Sequence, residues 1–595
     1  MPGRVRRDDE VARHVRPGRE VVAAGRGPAA EAGEAALGGG VVMVAHSVAT
    51  VQDTRQDSGS GHGVGAAVPP RSMAEQAFAA GDAHAAIRCA IRAGDVDFAS
   101  RVAVKYWYIL CATDVEGTIV VLEELDHRQL REHPYLAIIL ALAYNTTTTR
   151  RVRAVELFGT AVAALALRYP GSGVGERLIL STLESVAFRV MGQGTAARAA
   201  AKRARELLAT VRAGDSEMID LLRFDLAQQV GTSFFVGGDL VEAKATLNDV
   251  LAAQGRAGGA RLTLGLLAGL HATNGEMLSS ARHVAAEQER SWPPIVHGPY
   301  IDALFHSSRA WDAVERFDLA AAQTVLDDVA EELRTNELWP LFALAQVYVD
   351  LGSGTPALGE SRLAQTIARG ERAPTTAYWR SRLAVARSTL ALAAGQGERA
   401  LSAVRKLSRD DLDVRVAVAR AALAQHDHDG ALMILAGTQG VAVAGARHRA
   451  ERLLLLAAAA ARSDLGAMAV ATAQDAAITL RTSGTRLPLM LVHRDDRLAV
   501  AELLRSAGDL QSAELIHGDQ HVPDVLPNVV RVVDLSEREL VVLQGLVAGA
   551  DLPLLASRLF VSPNTIKTQI KSIYRKLEVR TKRDAVIAAL HKGLV

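Results

Sequence analysis

The chain closes on DLSERELVVLQGLVAGADLPLLASRLFVSPNTIKTQIKSIYRKLEVRTKRDAVIAALHKGLV, residues 534–595, a stretch that punctuates itself into four short helices. Ser536 with Glu539 three residues on spells a capping box, in which each side chain satisfies the other's orphan backbone donor. Leu540, Leu543 and Val547 follow at helical spacing, and Gly549 is placed to stop the helix in a left-handed conformation. Asp551 is expected to cap a second helix, with Pro553 in its first turn and Leu555, Ala556 and Leu559 as its buried stripe. After a tight turn at Phe560-Val561, Ser562-Pro563 supplies a cap and a first-turn proline. The third helix runs to about Leu577, with Ile566, Ile570, Ile573 and Leu577 on one face and Asn564, Lys567, Thr568, Lys571 and Arg575 on the other. Thr581 with Asp584 opens a fourth helix presenting Ala585, Val586, Ala589 and Leu590.

A helix that buries one side and offers a polar, basic ridge on the other fits the major groove, where Lys and Asn meet base edges and phosphates. The segment resembles the LuxR-type (GerE) helix-turn-helix of bacterial transcription regulators. The resemblance rests on Leu535-Ser536-Glu537-Arg538-Glu539, Leu543, Leu555-Ala556, Val561-Ser562-Pro563-Asn564-Thr565-Ile566-Lys567, Ile573-Tyr574-Arg575-Lys576-Leu577 and Arg583-x-Ala585-Val586. It implies that the third helix reads double-stranded DNA and that the fourth helps a homodimer form on it. By position, Lys567, Thr568 and Lys571 become base-edge candidates. Asn564, Thr565 and Lys576 become phosphate or positioning candidates, with Arg575 on the same face. Ala585, Val586 and Ala589 become dimerisation candidates. Three departures stand out: Leu552-Pro553-Leu554 replaces a polar run, Gln569 replaces a frequent histidine, and Glu578 replaces a frequent glycine. A left-handed backbone at Glu578 would cost roughly 1–2 kcal/mol.

The whole chain has 595 residues and a formal charge of +1, unevenly spread. From Arg531 onward eleven Lys/Arg face six Asp/Glu, while the remainder holds 56 against 60. The basic surplus thus sits where phosphate neutralisation would use it. The two cysteines, Cys89 and Cys111, lie in apolar helical surroundings and suggest a reducing compartment with no disulfide framework. No apolar run approaches a membrane span, and no secretory signal opens the chain, so the expected location is cytoplasmic.

Residues 1–72, rich in Gly, Arg, Ala and Ser, are read as a disordered leader. Residues 73–517 are Ala- and Leu-rich and helical, with a recurring phrase in which Gly ends one helix, Asp caps the next and an early alanine lets the two pack closely. Gly81-Asp82 with Ala85, Gly94-Asp95 with Ala99 and Gly238-Asp239 with Ala243 are clear instances. Phe317-Asp318, Gly395-Gln396-Gly397, His426-Asp427, Ser463-Asp464 and Gly508-Asp509 are looser ones. A period of roughly 30 to 45 residues matches helical-hairpin repeats, so the expected fold is all-α: a TPR-like α-solenoid followed by the four-helix LuxR-type domain. An irregular helical bundle is the alternative. The middle region also resembles the helical part of the large MalT-like (LAL) regulators, through Ala85-Ala86-Ile87-Arg88 and Ala93-Gly94-Asp95 and through its place before a LuxR-type end. Those regulators carry a nucleotide-binding domain. This chain has no Gly-Lys-Ser/Thr, so no ATPase and no cofactor are expected.

Four of the five tryptophans fall between Trp292 and Trp379. Trp292, Tyr300, Trp311, Trp339 and Trp379 are candidate lining for an effector or partner groove on a concave solenoid face; core filling is the competing reading. His426-Asp427-His428-Asp429 has metal-ligand residue types but sits at an inter-helix turn, and no metal site is assigned. No nucleophile or acid–base motif occurs, so an enzyme is not expected. Residues 518–533, with Pro523 and Pro527, read as a linker to the domain at 534–595. The function expected is a DNA-binding transcription regulator, with a protein or small-molecule effector at the solenoid and RNA polymerase as a further partner. The alternative is an interaction scaffold with a degenerate helix-turn-helix.

Overall fold

The computed structural model describes residues 69–595 apart from 113, 146–149, 213–216, 256–259, 293–298, 331–336, 369–374, 438–444, 519, 528, 531–534, 592–593 and 595. The described residues form helices and turns, with no strand among them. The first helix, Pro70–Ala79, begins inside the stretch expected to be leader, because Pro70 starts a helix at the position where proline's missing N–H costs nothing. The rest of the expected leader lies outside the described residues.

The hairpin phrase works as its chemistry demands. Gly81, Gly94, Gly238 and Gly508 take left-handed backbones (φ 79°, 74°, 86° and 83°). The aspartate after each caps the next helix, Asp82 accepting from Ala85 N at 2.9 Å and Asp509 from Ser512 N at 3.0 Å. Each turn is locked by an N–H reaching back five residues, as from Asp239 to Phe234 O at 2.8 Å. The same turn recurs where the sequence disguised it, at Gly192-Gln193, Gly275-Glu276 and Gly354-Thr355; at the expected Phe317-Asp318 and His426-Asp427 turns the bulky residue itself takes the left-handed place. At Ser463-Asp464 the expectation shifts by one residue: Asp464 is itself left-handed (φ 55°) and caps nothing, and Leu465 takes the cap position. From Gly192 the left-handed residue recurs at 238, 275, 317, 354, 395, 426, 464 and 508, steps of 31 (395 to 426) to 46 (192 to 238) residues.

One register position makes the close approach. The residue four after the cap is a buried small side chain throughout: Ala86, Ala99, Ala197, Ala243, Ala322, Ala400, Ala431, Ala469 and Ala513 are all 0% exposed. Ala85, half-buried, and Ala467, exposed, are not the contact residues.

The first helices of successive hairpins stack on one another, Ala260–Thr273 on Pro299–Glu315, that on Trp339–Gly352, then Ala377–Ala393, Leu412–Leu423 and Ala446–Arg462. Their partners, Met277–Gln288 through Gly466–Ser483, form the second layer. This is a TPR-like solenoid. It is wound tightly enough that distant repeats touch. Thr376 Oγ1 donates to Val236 O at 2.8 Å. Arg447 donates to Thr273 O (2.7 Å) and Ala272 O (3.0 Å) and pairs with Glu315 at 2.6 Å, its guanidinium 4.2 Å from the Trp311 ring centroid. Glu315 also accepts from Thr485 Oγ1 and from the backbone N–H of Arg486 and Leu487.

That winding overturns the expected aromatic groove. Trp311, Trp339 and Trp379 are 1%, 4% and 1% exposed and fill the core between Leu178 and Val522. They hold repeats together and line no open face. Trp292 is half-buried, its indole N–H on Glu287 O at 2.8 Å. The Tyr300 side chain lies outside the described residues.

The stretch expected to be a linker is partly docked. Leu526 and Val530 pack against Ala391, Leu392, Ala400 and Ala421, and Val530 N–H donates to Ala424 O at 2.8 Å. Val522 joins the main solenoid core. The C-terminal helices keep a separate core of Val542, Leu543, Leu546, Leu555, Ala556, Ile566, Ile573, Leu577, Ala585 and Ala589.

Candidate nucleic-acid interface

Four helices build the C-terminal domain: Glu537–Val547, Leu552–Arg558, Pro563–Leu577 and Lys582–His591. The caps stand where the sequence puts them. Ser536 N–H donates to Glu539 Oε2 at 2.7 Å while Glu539 N–H donates to Ser536 Oγ at 3.3 Å. Asp551 accepts from Leu554 N (2.9 Å), Ser562 from Thr565 N (3.2 Å) and Thr581 from Asp584 N (3.1 Å). Gly549 is left-handed at φ 85°, and Glu578 ends the third helix at φ 58°, ψ 35°. Phe560, in the turn, is also left-handed (φ 53°) and 95% exposed. The first two helices approach so closely that a Cβ on Gly545 would lie 2.2 Å from Leu555 Cδ2.

The third helix divides as its periodicity predicts. Ile566, Ile573 and Leu577 are buried and Ile570 is half-buried. On the first helix the inward residues are Val542, Leu543 and Leu546; Leu540 and Val547 are only half-buried, so that stripe is rotated by one residue from its expected place.

On the outer face of the third helix, Asn564, Thr565, Lys567, Thr568, Gln569 and Lys571 line one continuous open surface. Asn564, Lys567, Lys571 and Arg575 are exposed. Thr565 Oγ1 lies 2.9 Å from Ser562 Oγ, and Thr568 Oγ1 donates to Asn564 O at 3.0 Å, so both hydroxyls serve the helix while their other faces stay open. Two ammonium groups on a rigid ridge, with amide and hydroxyl groups between them, are the chemistry that meets phosphates and base edges.

Two expected assignments change. Lys576 does not stand on the ridge: its Nζ donates to Glu539 Oε2 at 2.8 Å, tying the third helix to the capping box of the first. Burial alone would raise the Glu539 carboxyl, but hydrogen bonds from Lys576, Ser572 and Ser536 outweigh it and hold the group at about 2. Ala585 and Ala589 are not dimer-facing either. Both are 0% exposed in the domain's own core, because an i, i+4 pair of small residues is what lets the fourth helix settle on its neighbours. The exposed apolar residues of that helix are Ile587 (49%) and Leu590 (57%), with Val586 half-buried. The sequence reading placed Leu590 on the helix but missed Ile587, which carries no signal beyond being large and apolar. Lys582, whose Nζ donates to Ala550 O at 2.9 Å, was also missed.

Residues 533–589 match the family model for bacterial regulatory proteins of the luxR family. The C-terminal segment is a LuxR-type helix-turn-helix domain. It is 38% identical over 61 residues to the probable transcriptional regulatory protein NarL of Mycobacterium tuberculosis, covering 10% of this chain and 28% of that protein. Over 100 residues the chain is 29% identical to the HTH-type transcriptional regulator MalT of Vibrio campbellii, covering 16% of this chain and 11% of that one. The chain therefore spans little more than a quarter of the NarL relatives and about a tenth of the MalT relatives. A solved structure of the APC/C hetero-tetramer Cut9-Hcn1 aligns with 75% of this chain and 93% of that one, at 11% identity and a TM-score of 0.30. No helix among the described residues is long and apolar enough to cross a membrane.

Proposed function

We propose that this chain is a DNA-binding transcription regulator whose helical-repeat region controls the access of a LuxR-type domain to DNA. The observation that carries the reading is the exposed ridge of Asn564, Lys567, Thr568 and Lys571 on a helix fixed by its caps and its own core. Two copies would read paired half-sites, as dimeric helix-turn-helix proteins do. Ile587, Leu590 and Val586 are the apolar residues available to join them.

Control by reach is supported by the docked segment. From Val530 to Leu535 there are five residue steps, at most about 17 Å of extended chain. With 522–530 released, the steps from Gly518 to Leu535 allow about 60 Å. A docked segment keeps the domain beside the Leu412–Leu423 hairpin; a released one lets two domains reach adjacent half-sites. Replacing Leu526 and Val530 by aspartate in the full chain should tighten binding to a two-half-site DNA. Unchanged binding would remove the reach mechanism and leave the DNA-binding reading standing.

A second reading, a protein-interaction scaffold, is favoured by one observation: Leu552 (36%), Leu554 (43%) and Phe560 (95%) are exposed together in sequence around the second helix. It expects no saturable, salt-sensitive DNA binding by the full chain.

A further inference from the structure

Residues 522–530 lie on the repeats as a strap whose side chains enter them at a fixed spacing. Val522, Leu526 and Val530 are buried, four residues apart, while Asp524 and Val529 are exposed. That spacing does not come from a helix. The described part of 522–530 forms none, and Pro523 and Pro527 favour extended backbone at Val522 and Leu526, the residues before them. Val522 joins the main core, Leu526 and Val530 join Ala391, Leu392, Ala400 and Ala421, and Val525 packs against both clusters. Among the described residues one backbone hydrogen bond, Val530 N–H to Ala424 O at 2.8 Å, ties 522–530 to the repeats. The groove therefore selects its occupant mainly by apolar side chains on an extended backbone, a mode in which prolines lower the ordering cost.

The strap does not satisfy the groove in full. Arg497, 4% exposed, lies at the Val522 end: a Cβ on Gly518 would stand 2.8 Å from Val522 Cγ2 and 3.0 Å from Arg497 Nη1. Arg497 Nη1 donates to His517 O at 2.6 Å, but its Nε has no hydrogen-bond partner, and Arg497 forms no ion pair among the described residues. Burial pulls the guanidinium below the ordinary arginine range, and the charge of Asp524 opposes this only in part. A buried cation in such a place lacks the close counter-charge that would offset its desolvation. The acid that faces it is exposed and one methylene shorter than a glutamate.

We propose that this groove recognises an extended segment of another protein, one with apolar residues before two prolines four positions apart and a glutamate between them, and that the strap is its resident competitor. The two apolar residues take the places of Val522 and Leu526, and the glutamate pairs with Arg497, which Asp524 does not. Displacing the strap frees the tether of the C-terminal domain. That consequence rests on the reading of the chain as a regulator controlled by reach; the binding does not. The partner site thereby moves from the tryptophan-rich repeats, whose rings are consumed by the core, to the groove under the strap.

The test is fluorescence anisotropy of a labelled peptide of residues 520–532, titrated with the full chain and with a full chain carrying Leu526→Asp and Val530→Asp, whose strap is released and whose groove is untouched. The released chain should bind the peptide saturably and at least about tenfold tighter than the unmodified chain, where the tethered strap competes at roughly millimolar effective concentration. A peptide carrying Asp524→Glu should bind the released chain at least about fivefold tighter, the step a hydrogen bond to a charged group supplies. A peptide carrying Leu526→Asp and Val530→Asp should not bind. If the released chain loses helicity, the unmodified chain decides: excess peptide should speed proteolytic cleavage between 518 and 535, and the doubly substituted peptide should not. No saturable binding by a released chain of unchanged helicity, equal binding by the two chains, an Asp524→Glu peptide no tighter than its parent, or cleavage that excess peptide leaves unchanged would each overturn the proposal. So would a dimer of the unmodified chain that the released chain lacks, which would assign the groove to a second copy. DNA binding by the same preparations, measured in parallel, separates failure of this site from failure of the regulator reading.

Discussion

Lysines 567, 571 and 576 look alike in the sequence and do different work. The first two end in solvent on the ridge; the third is spent on Glu539. Lys567→Ala and Lys571→Ala should each flatten the salt dependence of DNA binding by about one unit of log–log slope and leave stability within about 0.5 kcal/mol. Lys576→Met should do the reverse, costing the domain about 1–3 kcal/mol, the worth of a hydrogen bond to a charged group, with the slope unchanged. Because the folded Glu539 carboxyl is depressed to about 2, its contribution is complete above the ordinary glutamate range and is lost as pH falls through about 2. Lys576→Met should move that acid loss to higher pH, visible as earlier hydrogen exchange at the Leu543 and Ile573 amides. Glu578→Gly relieves a left-handed side chain and should stabilise the domain by about 1 kcal/mol, read from the urea midpoint. At this scale the caps and the ridge were legible, because capping chemistry is local. The partner of Lys576 was not, since it lies 37 residues away on another helix.

Each hairpin is a left-handed residue, a cap and, four residues on, a small buried side chain. Ala243 is such a residue, fully buried four positions after Asp239. Ala243→Leu forces extra methylenes into a closed contact and should destabilise the chain by about 1–3 kcal/mol, whereas the exposed Ala467→Leu should be near neutral. Denaturant unfolding of the two variants checks the register directly. The phrase was readable wherever glycine preceded aspartate. It was looser but still readable at Phe317-Asp318 and His426-Asp427, where a bulky residue holds the left-handed turn, and hidden at Gly275-Glu276 and Gly354-Thr355, where the capping residue is less conspicuous.

The winding of the solenoid belongs to the whole molecule. Thr376 meets Val236 across 140 residues and Arg447 meets Glu315 across 132, contacts that leave no periodic trace. They explain why a tryptophan cluster that reads as a groove is instead a core. Likewise Pro523 and Pro527 give 518–533 a linker's composition, while Leu526 and Val530 anchor it in the Ala391–Ala421 groove. If reach is controlled there, Leu526→Asp with Val530→Asp should speed proteolytic cleavage between 518 and 535 as well as tighten DNA binding.

The most direct test is the selection of genomic fragments by the full chain at two salt concentrations, beside a Lys567→Ala, Lys571→Ala double variant of unchanged helicity. The unmodified chain should enrich particular fragments, the enrichment weakening as salt rises and lost in the double variant. No enrichment, or enrichment that the double variant retains in full, would contradict a regulator that reads DNA through this ridge.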